Sequence, residues 1–300
     1  MKKVLLFLLG LLLISCGSRK EEEAKEKPGL PLVSAVNYPL SYFAERIGGD
    51  LIQVSFPVPS DVDPAYWVPD DDALSIYQSS DLILANGAEY AKWMHQVSLP
   101  ASRIINTSAK AKDNYIEVIQ GASHSHGPEG EHVHTGFAST TWLDFRIALI
   151  QAEAIKEVLL GILPDGHESI EKNYQTLEQE LSELHTSMTE LSGKLGHETI
   201  LGSHPVYQYL SAAYGLHMHS LHFEPVEMPS EAQWKELDAM LATHPARIML
   251  WEGEPLPEVK TILLEKGITS LVFNPCASRP SKGDFMEVMN NNMEGFVNPL

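Results

Sequence analysis

The sequence predicts an α/β protein with two Rossmann-like lobes, each built on a parallel sheet, joined by one long rigid helix. Three observations carry this. Short apolar runs alternate with helix-spaced segments from Leu32 to Ala85, the pattern of a parallel sheet covered by helices. The same alternation returns from Thr199 to Met293. Between them Ile170, Tyr174, Leu177, Leu181, Leu184, Met188 and Leu191 recur in alternating steps of four and three. That spacing puts all seven on one stripe of a helix about 25 residues and about 37 Å long. A single seam between sheet-forming segments is expected to act as a strut packed across both lobes.

At the start, Met1-Lys2-Lys3 opens an apolar run that closes on Leu13-Ile14-Ser15-Cys16. A basic start, a short apolar stretch and a small residue before cysteine predict a secretory signal over residues 1–15. The run is shorter than the ~20 residues of a spanning helix. Its cysteine points to the lipoprotein variety, with cleavage before Cys16 and acyl chains on the new terminus. Residues 16–29 are then a charged tether ended by Pro28-Gly29. The expected location is extracytoplasmic, anchored to a membrane by lipid.

The first lobe is expected over residues 30–166. Leu32 to Val36 suits a buried strand, and Asn37-Tyr38-Pro39 breaks it. Leu40, Phe43, Ala44 and Ile47 follow at helical spacing until Gly48-Gly49. Leu51 to Val58 predicts a second strand, Asp70 to Gln78 a helix and Leu82 to Ala85 a third strand. Residues 121–138 differ in kind: His124, His126, His132 and His134 sit among small and polar residues, which predicts a loop. A helical pattern resumes from Thr141 to Leu160. The linking helix is expected over 167–194 and the second lobe over 195–300. There, strands are expected at Thr199 to Gly202, His217 to Phe223, Ile248 to Trp251 and Ser270 to Phe273. Helices are expected at Val206 to Tyr214, Ser230 to Ala242, Leu256 to Glu265 and Lys282 to Met293.

Composition limits the partners. Asp and Glu outnumber Lys and Arg by 40 to 21, giving a formal net charge of −19. With no basic cluster to follow a phosphate backbone, nucleic acid is a poor partner, and so is an acidic membrane surface for the body itself. Once Cys16 carries lipid, Cys276 has no disulfide partner, and burial is its default. The sequence holds no Gly-x-Gly-x-x-Gly, no P-loop and no Ser/His/Asp arrangement at motif spacing, so neither catalysis nor a resident cofactor is expected.

Ligands of open parallel sheets sit beyond the carboxyl ends of the strands. That region takes in Asn37, Asp63 to Trp67, His204, Glu252 and Asn274 to Arg279. Several stretches there and nearby carry a family likeness. They are Ala35-Val36-Asn37-Tyr38-Pro39-Leu40, Arg46-Ile47-Gly48-Gly49-Asp50, Pro59-Ser60-Asp61-Val62-Asp63-Pro64, Asp81-Leu82-Ile83-Leu84-Ala85-Asn86-Gly87, Trp142-Leu143-Asp144 and Ser203-His204. In this order and spacing the chain resembles the metal-binding receptors of bacterial zinc and manganese ABC importers, the cluster A-I or ZnuA/TroA-like family. The resemblance implies a TroA-like receptor with a helical backbone and a divalent metal, zinc first, captured between the lobes. It also implies an ABC permease in the inner membrane as partner, with the receptor acting as a monomer.

The resemblance implies ligand positions too, and here the chain departs from it. The first histidine position falls on Ala65, the second on Thr140 and the carboxylate position on Asn274; His204 alone keeps the usual residue. Zinc wants about four N, O or S donors, and alanine offers none. His204 reads equally as a ligand and as a structural histidine at a helix start. Cys276 and Glu252 are candidate substitute donors, and Tyr66 and Trp67 candidate cleft residues that line or plug the site. His217 and His219 share one face of an extended strand. The four loop histidines, His124, His126, His132 and His134, lie within eleven residues and are expected to supply most of any metal binding. The alternative is the same scaffold with a degenerate site that takes a metal chelate or a small organic ligand.

Overall fold

The computed structural model describes residues 29–60, 62–118 and 136–296, with the backbone of two short strands at 123–125 and 131–133. The expected signal segment and Cys16 lie outside the described residues.

In the first lobe β1 (Leu32–Ala35) lies between β2 (Gln53–Ser55) and β3 (Leu82–Ala85), with β4 (Ile104–Asn106) outside β3, all parallel. An inner parallel strand is covered on both faces, which is why β1 is apolar almost throughout. After it, Asn37 adopts an extended backbone and its Oδ1 accepts from the Leu40 amide at 3.1 Å, capping α1 (Tyr38–Gly48). Pro39 sits in the first turn, where no amide hydrogen is needed. Gly49, at φ +52, ends the helix. The strand expected over Leu51 to Val58 is confined to Gln53–Ser55. Leu51 closes a 3-10 turn, and Pro57 and Pro59 cannot donate to a ladder. β4 was not anticipated. Asp70 caps α2 (Asp71–Ser79).

Two short antiparallel ladders bound the histidine segment: β5 (Glu117–Val118) with β8 (Gly136–Phe137), and β6 (Ser123–Ser125) with β7 (Glu131–Val133). The chain then enters a 3-10 turn at Thr141–Leu143 and α3 (Phe145–Ile162), capped by Asp144. α4 (His167–Leu195) runs unbroken for 29 residues, and every member of the predicted stripe from Ile170 to Leu191 is buried. It packs on α1 and α3 of the first lobe and on α5 and α8 of the second. Its solvent face carries Glu168, Lys172, Gln179 and Glu183.

The second lobe repeats the sheet order of the first. β9 (Thr199–Gly202) lies between β10 (His217–Ser220) and β11 (Ala246–Trp251), with β12 (Thr269–Val272) outside β11, again all parallel. Its helices are α5 (Gln208–Tyr214), α6 (Glu231–Thr243), α7 (Pro257–Glu265) and α8 (Phe285–Glu294). Ser230 and Gln233 form a reciprocal capping box on α6. The strand expected to Phe223 stops at Ser220, and the helix expected from Val206 starts two residues later.

One apolar core runs from Phe43 and Phe145 past Leu177 and Leu181 on α4 to Ile200, Leu250 and Phe273 of the second lobe. The outer face of the second sheet has a core of its own around Phe223, Trp251 and Leu263. Direct hydrogen bonds also tie the lobes. Trp142 Nε1 donates to Pro275 O at 2.7 Å, the Tyr38 amide to Ala277 O at 2.8 Å, and Ser278 Oγ to Val62 O at 2.7 Å. A wide hinge motion would break these bonds and open the shared core, so the lobes sit as one stiff unit. No described helix is long and apolar enough to cross a membrane.

Candidate functional site

The carboxyl ends of both sheets border a cavity of about 520 Å³ between the lobes. Its first-lobe wall holds Asp63, Ala65, Tyr66, Tyr90 and Thr140; its second-lobe wall holds His204, Glu252 and Asn274, with Arg279 at the side.

His204 follows β9 in a turn, not at a helix start. The Ser203 amide donates to Leu250 O at 2.7 Å, and Ser203 O accepts from the Phe223 amide at 2.8 Å. The second bond folds the segment after β10 back beside His204, bringing His222 and Glu224 with it. His204 and His222 meet edge to face with centroids 5.6 Å apart. His204 is buried, and its Nδ1 lies 3.6 Å from Glu224 Oε1 and 3.9 Å from Glu252 Oε1. Glu252 gains its place from β11, which ends at Trp251 and accepts from the Phe273 amide at 2.8 Å.

Negative charge from both lobes converges here. Burial, with the neighbouring charges of Asp63 and Glu224, pushes the Glu252 carboxyl up to about 8. Partial desolvation, followed by the charges of Asp63, Glu252 and Glu224, also raises the phenol of Tyr66, which is half exposed. Arg279 is the one guanidinium or ammonium among the described lining residues. It bonds Glu45 at 2.9 Å and stacks over Tyr38 at 5.0 Å, so its charge is held away from the carboxylates.

The remaining predicted residues fall into place around this acidic pole. The Ala65 amide donates to Asp63 Oδ1 at 2.9 Å, and the methyl group contributes no donor. Thr140 Oγ1 donates to Val206 O at 2.5 Å, a bond across the lobes. Asn274 Oδ1 accepts from the Cys276 amide at 2.7 Å, an Asx turn that holds Cys276 at φ +60. Cys276 itself is corrected as a donor candidate. It is absent from the cavity lining and buried in the core, and burial pushes its thiol up to about 12, so it stays protonated at neutral pH. Trp67 is corrected as a cleft residue: its ring packs on Tyr77 and Trp93 beneath the loop, while Tyr66 takes the cavity side.

In backbone register, His124 pairs with His132 in the β6–β7 ladder. His126, His134 and all four loop side chains lie outside what is described. Among the described residues, no three His, Cys, Asp or Glu side chains converge closely enough to hold a metal ion. The donors of the second-lobe wall stand near one another without a closed coordination shell.

Sequence reasoning missed Glu224 and the charge of Asp63. Glu224 reaches the site only through the backbone bond between Phe223 and Ser203, which no local pattern announces. Asp63 lies in the Pro59 to Pro64 stretch, and its charge reaches Glu252 only in the folded chain.

The family model described as zinc-uptake complex component A, periplasmic (ZnuA), matches residues 33–298. The zinc-binding lipoprotein AdcA of Streptococcus pneumoniae R6 is 24% identical, over 98% of this chain and 60% of AdcA. The manganese-binding lipoprotein MntA of Halalkalibacterium halodurans is also 24% identical, over 72% of this chain and 69% of MntA. The chain thus spans less than two thirds of AdcA. Among solved structures, the metal-dependent lipoprotein YcdH of Bacillus subtilis superposes with a TM-score of 0.73 at 21% identity, covering 88% of this chain and 97% of YcdH. The periplasmic zinc-binding protein TroA of Treponema pallidum gives 0.70 at 18% identity, covering 90% and 98%. At such identities these structures establish a shared fold.

Proposed function

The chain belongs to the ZnuA family of periplasmic zinc-uptake components, and we propose that it is a lipid-anchored receptor that captures a divalent metal, zinc first, between its lobes. Delivery would be to an ABC permease in the inner membrane. The observation that carries this reading is the pole at His204. A buried imidazole faces two carboxylates at 3.6 and 3.9 Å, and a third acidic group, Asp63, adds its charge from the opposite wall.

Such crowding costs energy when all three carboxylates are ionised, because each disfavours the charge of the others. Holding one proton on Glu252 relieves part of that cost; a divalent cation relieves it more fully. His204 offers an imidazole nitrogen, and Glu224 and Glu252 offer oxygens, a mixed set suited to zinc or manganese. Water or Asp63 completes the shell. Capture then proceeds with loss of the Glu252 proton and rotation of side chains, because the cross-lobe bonds and shared core leave little room for domain closure. The names of AdcA and MntA support a metal as cargo, and the family assignment supports a permease as partner.

Zinc titration calorimetry on the mature protein tests this. The expected result is one-to-one binding that falls at least about 100-fold in His204→Ala. It should survive replacement of His124, His126, His132 and His134 by alanine. Binding that follows the loop and ignores His204 would move the site to the loop. No zinc binding by any form would favour a chelate or small organic ligand in the cavity.

A further inference from the structure

The cleft does not account for a second gathering of imidazoles in the second lobe. We propose that His197 and His217 form a separate, exchangeable transition-metal site at the opposite pole of the second sheet, with His219 and His244 beside it. The placement follows from strand direction. His204 and Glu252 lie past the carboxyl ends of β9 and β11. His197 lies two residues before β9, His217 opens β10, and His244 lies two residues before β11. Thr199 is in register with both His217 and Ala246, so these histidines share the amino end of one sheet.

The geometry suits a metal. His197 Nδ1 is 3.2 Å from His217 Nε2, with ring centroids 5.3 Å apart. A zinc ion sitting about 2.0–2.1 Å from each nitrogen would subtend an angle of roughly 100° there, near the tetrahedral value. In the hydrogen-bonded pair one ring donates its N–H to the other's lone pair. On metal binding the donor ring moves that hydrogen to its other nitrogen, through solvent. Both rings stay neutral, and rotation of the two exposed rings turns the lone pairs at the contact from each other toward the ion.

The adjoining pair lies on the same side. His217 and His219 are two residues apart on the edge strand β10, so their side chains share a face. The His219 and His244 ring centroids are 3.8 Å apart. His244 Nδ1 is 2.9 Å from Thr243 Oγ1, a contact that orients the ring and leaves Nε2 for a ligand. His197, His217 and His244 are all exposed.

Among the described residues no three donors meet at one point, so the protein supplies two imidazoles and water completes the shell. Two-point chelation on an exposed edge gives weak, fast-exchanging binding. The ions it takes are those that favour imidazole: zinc, nickel and, most tightly, copper(II).

The test first removes the other imidazoles proposed as ligands. A mature chain carrying His204→Ala, with His124, His126, His132 and His134 also changed to alanine, is titrated with zinc and then with copper(II) by calorimetry. One weak equivalent of each is expected to remain. Adding His197→Ala and His217→Ala should weaken it at least tenfold, and the milder His217→Gln should weaken it in the same direction. Circular dichroism checks that each variant stays folded. Absence of residual binding, or residual binding unchanged by the His197 and His217 substitutions, overturns the proposal. The fate of the cleft is read separately, from His204→Ala alone.

Discussion

On the first-lobe wall of the cavity, Ala65 has no donor and Thr140 gives its hydroxyl to Val206 O. On the second-lobe wall, His204 stands against Glu224 and Glu252. Both walls are built alike, from loops beyond the carboxyl ends of a four-stranded parallel sheet in the same strand order. The scaffold is therefore kept on both sides while donor chemistry is concentrated on one. The same architecture can carry donors on one wall and few on the other, because chemistry resides in the residues placed on a fold and not in the fold itself. A binding site with most of its donors on one wall also depends less on movement of the other. That fits lobes tied by Trp142, Tyr38 and Ser278 across a common core.

The largest effect is expected from the element both walls share. Leu181→Ala in the middle of the α4 stripe should cost about 2–5 kcal/mol in denaturant unfolding, in one cooperative transition. Two separate transitions would mean the lobes do not share a core. Next comes the acidic wall itself. Glu224→Gln combined with Glu252→Gln should weaken zinc binding about 10- to 100-fold, whereas Thr140→Val should leave it within about threefold. Equal losses would erase the contrast between the walls. In the other direction, Ala65→His supplies a donor opposite His204 and should tighten zinc binding roughly tenfold. An unchanged affinity would show that position 65 lies out of reach.

A smaller effect concerns pH. The folded state holds the Glu252 proton up to about 8, while an unfolded glutamate releases it near 4.3. Between these values the folded chain binds more protons than the unfolded one, so this group's contribution to stability falls as pH rises. Glu252→Gln should remove that fall, a difference of at most about 1.4 kcal/mol per pH unit. Thermal melts of both proteins from pH 5 to pH 8, without metal, read it directly. Parallel pH profiles would show that Glu252 is ionised like a surface residue. Smallest of all is the rim pair between Arg279 and Glu45. Glu45→Gln should cost about 0.2–1 kcal/mol, less at high salt.

Much of the fold was legible because it depends on local repetition. The α4 stripe, the apolar runs of β1, β3, β9 and β11, and the stops at Gly49 and Gly215 are written in neighbouring residues. β4 was not, since Ile104-Ile105-Asn106 is only three residues long, between turns, and gains its strand pairing from β3. The site was legible in half. The family resemblance pointed to Ala65, Thr140, His204 and Asn274, and all four line the cavity. Glu224 was hidden, for it approaches His204 through a long-range backbone bond. Glu252 was visible as a residue past a strand, but its raised pKa arises from burial and from Asp63 and Glu224, which only the folded chain brings near. Trp67 and Tyr66 show the finest limit: adjacent in sequence, they face opposite sides of one loop.

The central claim is that zinc lodges on the second-lobe wall. It is tested most directly by a crystal structure of the mature protein grown with zinc, with anomalous data collected on both sides of the zinc absorption edge. The strongest peak is expected in the interlobe cavity, about 2.0–2.1 Å from a His204 nitrogen and bonded to Glu224 or Glu252. A cavity without an anomalous peak, with zinc found only on the histidine loop or the outer sheet edge, would contradict it.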